Sequence, residues 1–150
     1  MEAGLEAEWE SGVAVRLAYT YMESEFEEYV KDCADLSGRD TPGLPGHNFF
    51  GELSWAHASG LFGAIDVVHV GELYADDANI VDVDAYTAVD LRAGYERVIS
   101  GWTVQPFAGV NNLFDEEYNS NVRINARNGR FFEPAPDRNV YGGIRVAFNW

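Results

Sequence analysis

The last eleven residues constrain this chain more than any other stretch: Val140-Tyr-Gly-Gly-Ile-Arg-Val-Ala-Phe-Asn-Trp150. Every second position, Val140, Gly142, Ile144, Val146, Phe148 and Trp150, is non-polar. The positions between, Tyr141, Gly143, Arg145, Ala147 and Asn149, are small, polar or charged. Strict alternation of this length describes a β-strand with one apolar and one wet face. Strands of soluble proteins usually run about 5 or 6 residues. A tilted strand of about 9 to 11 residues is what crosses a bilayer.

The same period recurs upstream. Glu2–Trp9 sets Leu5, Ala7 and Trp9 against Glu6 and Glu8, and Val13–Tyr21 sets Val13, Val15, Leu17, Tyr19 and Tyr21 against Ala14, Arg16, Ala18 and Thr20. His47–Trp55 opposes Phe49, Gly51, Leu53 and Trp55 to Asn48, Phe50, Glu52 and Ser54. Leu61–Gly71 repeats the pattern less sharply, with His69 on its apolar face. Tyr86–Glu96 and Trp102–Asn111 complete the set before the closing strand. Pro106 is the misfit, because proline cannot donate to a ladder, and a local bulge is expected there. The strand charges Glu6, Glu8, Arg16, Glu52, Asp66, Asp90, Arg92, Glu96 and Arg145 all fall on one face.

The connections alternate as well. Glu10–Gly12, His57–Gly60 and the turn ending in Ser100-Gly101 are short, whereas Met22–Gly46, Glu72–Ala85 and Asn112–Asn139 are long. Trp9, Trp55, Trp102 and Trp150, with Tyr95, then fall at the short-turn end. Tyr19, Tyr21, Tyr86 and Tyr141 fall at the other end. Two aromatic bands around an apolar belt, with turns on one side and loops on the other, are the pattern of a transmembrane β-barrel. The expected fold is therefore all-β: an antiparallel barrel segment of about seven long strands in meander order, with short periplasmic turns and long outer loops. The competing fold is a soluble sandwich whose apolar face is dry inside.

Composition removes other classes. No apolar run approaches the roughly 18 residues of a membrane-crossing helix. A net charge of −15 argues against nucleic acid as a partner. The single cysteine, Cys33, excludes an internal disulfide framework. No nucleophile–base pair, phosphate-binding glycine loop or zinc spacing is present, so neither catalysis nor a cofactor is expected. His47, His57 and His69 lie on different strands and turns without metal-ligand spacing. Asp76, Asp77, Asp82 and Asp84 lack the glycine-punctuated spacing of a calcium loop and are expected to form a solvated acidic loop. Glu23–Glu28 is expected to form a turn of helix. Asn111, Asn112 and Asp115 are expected to shape a strand exit.

Two further stretches carry a specific likeness. Val110-Asn-Asn-Leu-Phe-Asp-Glu-Glu-Tyr118 resembles a sequence near the end of TonB-dependent outer-membrane receptors, and Arg138–Phe148 resembles their closing strand, whose signature here is Ile144, Val146, Phe148 and Trp150. Leu44-Pro-Gly-His47 and Val81-Asp-Val-Asp-Ala-Tyr86 are similar to other recurring stretches of that family. The likeness covers essentially the whole chain and is closest over Ala85–Trp150.

This resemblance implies a piece of a larger plugged barrel, of about 22 strands. The acidic N-terminus has neither the basic nor the apolar region of a signal peptide. Residues 1–150 are thus expected to be the C-terminal part of a receptor barrel, without plug or signal peptide. The implied partners are outer-membrane lipid, a chelated nutrient (ferric siderophore, haem or cobalamin) and, in the full-length parent, TonB and the barrel-assembly machinery. Trp9, Trp55, Trp102, Trp150, Tyr95, Tyr19, Tyr21 and Tyr86 become membrane-interface anchors. Arg123, Arg127 and Arg130, interleaved with Phe131 and Phe132 and followed by Arg138, become candidate outer-loop contacts to an anionic chelate. A small complete outer-membrane barrel with a structural or adhesive role is the remaining membrane alternative, and it calls for an even count of at least about 8 strands.

Overall fold

A computed structural model of the protein describes residues 1–148, so the expectations for Trp150 lie outside the described residues. The seven alternating stretches form one antiparallel sheet. Its long strands are β1 (Glu2–Glu8), β2 (Val13–Tyr21), β3 (His47–Ala56), β4 (Leu61–Val70), β5 (Tyr86–Tyr95), β6 (Trp102–Asn111) and β7 (Asn139–Phe148). They lie side by side in chain order, each paired with its sequence neighbour. A short segment, Arg97–Ile99, extends the β5 side along the start of β6. The sheet is open: β1 and β7 are its two edges and do not pair with each other. Because seven antiparallel strands separate them inclusively, both edges run in the same direction, towards the short-turn end.

Strand length suits a bilayer. Ten residues, the length of β3 to β7, at about 3.3 Å each and tilted about 40°, cover about 25 Å, the height of a barrel's apolar band. Much of the outward face is left open by the rest of the chain. Leu5, Leu53, Leu91, Ile144 and Val146 are 42–68% exposed. A soluble sandwich would bury this face, so that reading fails. The buried apolar side chains among the described residues are instead mostly in the connections: Leu36, Ala75 and Val83, against Ala64 and Val89 in the sheet.

The inward face carries the charges in register. Glu6 lies opposite Arg16, Arg16 opposite Glu52, Glu52 opposite Asp66 and Asp66 opposite Asp90, a single transverse row across five strands. Arg16 reaches Glu52 at 3.3 Å and Glu6 at 3.5 Å. Strand glycines on this face make room for aromatic rings. A Cβ added at Gly94 would stand 2.3 Å from Phe62, one at Gly109 2.4 Å from Tyr141, and one at Gly143 2.7 Å from Phe107. Each ring lies over a neighbouring glycine, which is how edge-on glycines in a sheet are stabilised.

Three expectations are corrected. Pro106 makes no bulge: pairing of β6 with β7 runs unbroken through Pro106–Ile144. The β5 ladder stops at Gly94–Phe107 and resumes at Arg97–Val104 without a shift of register. The missing N–H is absorbed as a local lapse on one side, with no inserted residue. Glu23–Glu28 is not helical; Glu25 instead bridges Asp40. Like charges at Glu23 and Glu27, and at Glu25 and Glu28, would share a helix face and repel. Tyr141 sits at the loop end but on the inner face, paired with Gly109 and packed on Phe107 at 6.4 Å between centroids, and so is not part of the outward aromatic band.

Candidate functional site

Chemistry concentrates where the three long connections leave the sheet. Each folds into a short ladder of its own: Val30–Lys31 with Ala34–Asp35, Leu73–Tyr74 with Asp82–Val83, and Asn119–Val122 with Phe132–Pro134. These hairpins give the loops backbone partners without help from the sheet, as buried loop backbone requires.

The third connection begins with the Val110–Tyr118 stretch, and its geometry explains the residue types. Asn112 adopts a positive φ of 53° and is 3% exposed. Its backbone N–H donates to Asp90 at 2.8 Å, and its side chain closes a turn by bonding the backbone N–H and carbonyl of Glu116 at 2.8 and 2.9 Å. Asparagine tolerates this left-handed conformation and supplies both donor and acceptor. The Leu113 N–H pairs with the Val89 carbonyl at 2.7 Å. Asp115, also at positive φ, accepts the Arg138 N–H at 2.8 Å. Tyr118 stacks on Tyr86 with centroids 4.2 Å apart. The stretch is thus a strand-exit device that fixes where the outer loop starts.

Beyond it, the arginines divide. Arg123 is ion-paired with Glu133 across the hairpin. Asn121 and Arg123 together hold the Glu133 carboxyl below the usual carboxylate range. Arg138 is tied to the Leu113 carbonyl at 3.4 Å as well as to Asp115. Arg127, in a 3-10 turn at Arg127–Gly129, and Arg130 are exposed and hold no ion pair among the described residues. Phe131 and Phe132 stand beside them, centroids 6.2 Å apart, with Phe132 45% exposed. Of the predicted loop contacts, Arg127, Arg130 and Phe132 are exposed with no ion pair among the described residues, whereas Arg123 is exposed but committed to Glu133.

The residue that sequence reading misjudged is Asp77. It is 7% exposed, not solvated. One carboxylate oxygen accepts from Lys31 Nζ at 2.8 Å and Tyr29 Oη at 3.1 Å, and the other from Asn125 Nδ2 at 2.7 Å. Its backbone N–H donates back to Asn125 Oδ1 at 3.1 Å. The Asn125 amide, then Lys31, hold the Asp77 carboxyl below its ordinary value, and Asp77 in turn raises Lys31. Asp76 is structural too, accepting the Ile80 and Val81 N–H groups at 2.9 and 2.8 Å. No local signal marks Asp77, because its partners lie 46 to 48 residues away.

A cavity of about 320 Å³ lies elsewhere, beneath the first two loops. Glu23, Asp40, Glu72 and Asp82 line it with Tyr21, His47 and Tyr74, a charge unsuited to an anion. His47 there bonds Tyr19 Oη at 2.8 Å and packs against Tyr21. At the opposite end Trp9, Trp55 and Trp102 share the short-turn side and are 40–52% exposed. Tyr95 pairs with Leu61 there, while Tyr19 and Tyr21 lie at the loop end; Tyr86 lies at that end too but on the inner face with Asp90, paired with Val70 and stacked on Tyr118, and so is not an outward anchor.

An open meander of bilayer-length strands, apolar outward and charged inward, with turns on one side and folded loops on the other, defines a segment of a transmembrane β-barrel. The chain belongs to the TonB-dependent receptor β-barrel family: residues 1–113 match the family model described as "TonB dependent receptor-like, beta-barrel". That match ends at Leu113, so β7 and most of the third loop are carried by structural likeness.

The siderophore receptor PiuA from Acinetobacter baumannii superposes with a TM-score of 0.79 at 21% identity, covering 97% of this chain and 21% of that one. The ferric citrate transporter FecA gives 0.77 at 18% identity, covering 91% and 21%. The ferric yersiniabactin uptake receptor FyuA from Yersinia pestis gives 0.67 at 22%, covering 97% and 23%. The chain spans about a fifth of the length of these solved receptors.

Proposed function

We propose that residues 1–150 are the C-terminal part of an outer-membrane receptor barrel that takes up a chelated nutrient, of the ferric siderophore, haem or cobalamin type. TonB would energise the full-length parent, and the barrel-assembly machinery would insert it among outer-membrane lipid. It is a transporter segment, not an enzyme. The observation that carries the reading is the open sheet whose edges run in the same direction. Direct closure of β7 on β1 would need a parallel ladder. Continuing the antiparallel alternation around a closed barrel takes an odd number of additional strands, which gives the even total of bacterial barrels. A small complete barrel of seven strands is disfavoured on the same ground. In hydrocarbon, moreover, each unpaired edge group costs several kcal/mol.

The solved proteins named above are a siderophore receptor, a ferric citrate transporter and a ferric yersiniabactin uptake receptor. Exposed Arg127 and Arg130 beside Phe132 suit a chelate with anionic oxygens and an apolar or aromatic body. Trp9, Trp55, Trp102, Tyr95, Tyr19 and Tyr21 fit anchors at the two interfaces.

The test is uptake of radiolabelled iron by cells that display the parent receptor, presented with ferric citrate and with a ferric catecholate. Arg127→Ala with Arg130→Ala should weaken binding about tenfold, the worth of one charge-assisted hydrogen bond. Retention of full affinity for every chelate that the parent imports would remove these arginines from the site.

A further inference from the structure

The outer connections are three separate segments in sequence, yet they share one interior. Ala75, from the second, is fully buried, and its carbonyl accepts the Asn125 N–H of the third at 2.9 Å. The Gly43 N–H of the first donates to the Tyr74 carbonyl of the second at 2.8 Å, and Gly43 lies against Ile124 of the third. Asn79 holds the Asp40 N–H and carbonyl at 2.8 and 3.0 Å. Asp77 is bonded to both neighbouring connections at once, through Tyr29 and Lys31 on one side and Asn125 on the other. A buried carboxylate with every bond directed to another loop ties their positions together, because moving either partner leaves it unsatisfied.

We propose that the three outer loops move as one body, with Asp77 as the shared pin, so that displacement of the arginine-bearing loop is transmitted to the Met22–Gly46 connection. Asp77 is in this sense a positioning residue for Arg127 and Arg130. The coupling itself does not depend on what those arginines bind; only its use in ligand capture rests on the function proposed above.

The sequence supplies its own reporter. Residues 71–85 contain no Lys or Arg, whereas the first connection holds Lys31 and Arg39 and the third holds Arg123, Arg127, Arg130 and Arg138. Trypsin added to intact cells displaying the complete receptor therefore reads the loops on either side of Asp77 but not its own. Asp77→Asn should raise cleavage after Lys31 and Arg39 and after Arg127 and Arg130 together, each at least fivefold. Lys31→Met, an exposed change in the first loop, should raise cleavage in the third. Asp84→Asn, also exposed and in the second loop, should change neither. Should Asp77→Asn reduce the amount of receptor at the surface, Lys31→Met carries the test alone. Cleavage that rises in one loop only, or a third loop indifferent to Lys31→Met, would overturn the proposal. Loss of chelate uptake with normal joint cleavage would count against the ligand reading and leave the coupled loops standing.

Discussion

Replacing Ile144 by arginine tests the assignment of the sheet's two faces most directly. Ile144 is 68% exposed and pairs with Pro106 in the middle of β7. It stands four residues from Phe148 on the same face. At about 3.3 Å per residue and a tilt of about 40°, that places it about 10 Å from the short-turn interface and close to the centre of a 25 Å apolar band. Arginine facing lipid at that depth costs about 2 to 4 kcal/mol. The internal control is Ser54→Arg on the inward face of β3, in a groove shared with Glu8 and Glu52, where the new charge meets carboxylates and water. It should stay within about 0.5 kcal/mol of the parent, as surface substitutions do. The assay is urea unfolding of the complete receptor refolded into phosphatidylcholine vesicles, followed by heat-modifiable gel mobility. If Ile144→Arg proves neutral, or Ser54→Arg costs as much, the outward face is not the lipid face and the barrel argument collapses.

Other outcomes follow from the same geometry. Val146→Arg, one outward position nearer the interface, should cost less than Ile144→Arg in the same titration, because the penalty falls with distance from the midplane. Gly60→Ala should destabilise by about 2 to 3 kcal/mol, since its φ of +97° strains any side chain and the new Cβ would lie 2.0 Å from the Glu96 carbonyl oxygen. Gly143→Ala should cost less, because the obstacle is the tip of the Phe107 ring, which can swing aside.

The outer loops should be pH-sensitive at both extremes. The depressed Asp77 carboxyl stabilises them above the ordinary carboxylate value, and this is lost as pH falls through its folded value. The raised Lys31 stabilises them below the ordinary lysine value, and this is lost as pH rises through its folded value. Hydrogen exchange in residues 22–46 and 112–138, corrected for intrinsic rates, should therefore be slowest between those limits. Protection that stays unchanged until that carboxyl is fully protonated would remove Asp77 from its role.

How much of this the sequence carries depends on the range of the interactions involved. Alternation is a property of adjacent residues, so the strands of the sheet, their inward and outward faces and the alternation of turns and loops were all readable. Tertiary partners only confirm which neighbours pair. Pro106 marks the limit of that reading, because its missing donor was visible but the ladder's response depended on two different neighbours. The face of Tyr141 followed from its place between Val140 and Gly142; grouping it with the outward tyrosines ignored that parity.

The loops obey a different rule. Their stability comes from contacts between segments that are mutually distant in sequence, and a carboxylate such as Asp77 looks the same in a string of acids whether solvated or buried. What distinguishes it is that Tyr29, Lys31 and Asn125 converge on it, and only the sheet's register brings those residues together. Strand pairing places the loop ends in order around the rim, and the loops then pack on their neighbours. A register slip of one residue would turn every strand face over. It would also separate the partners of Asp77. The membrane-spanning pattern and the loop assembly are therefore not independent: the period-two code that specifies the lipid face also sets the geometry on which the exposed arginines are held.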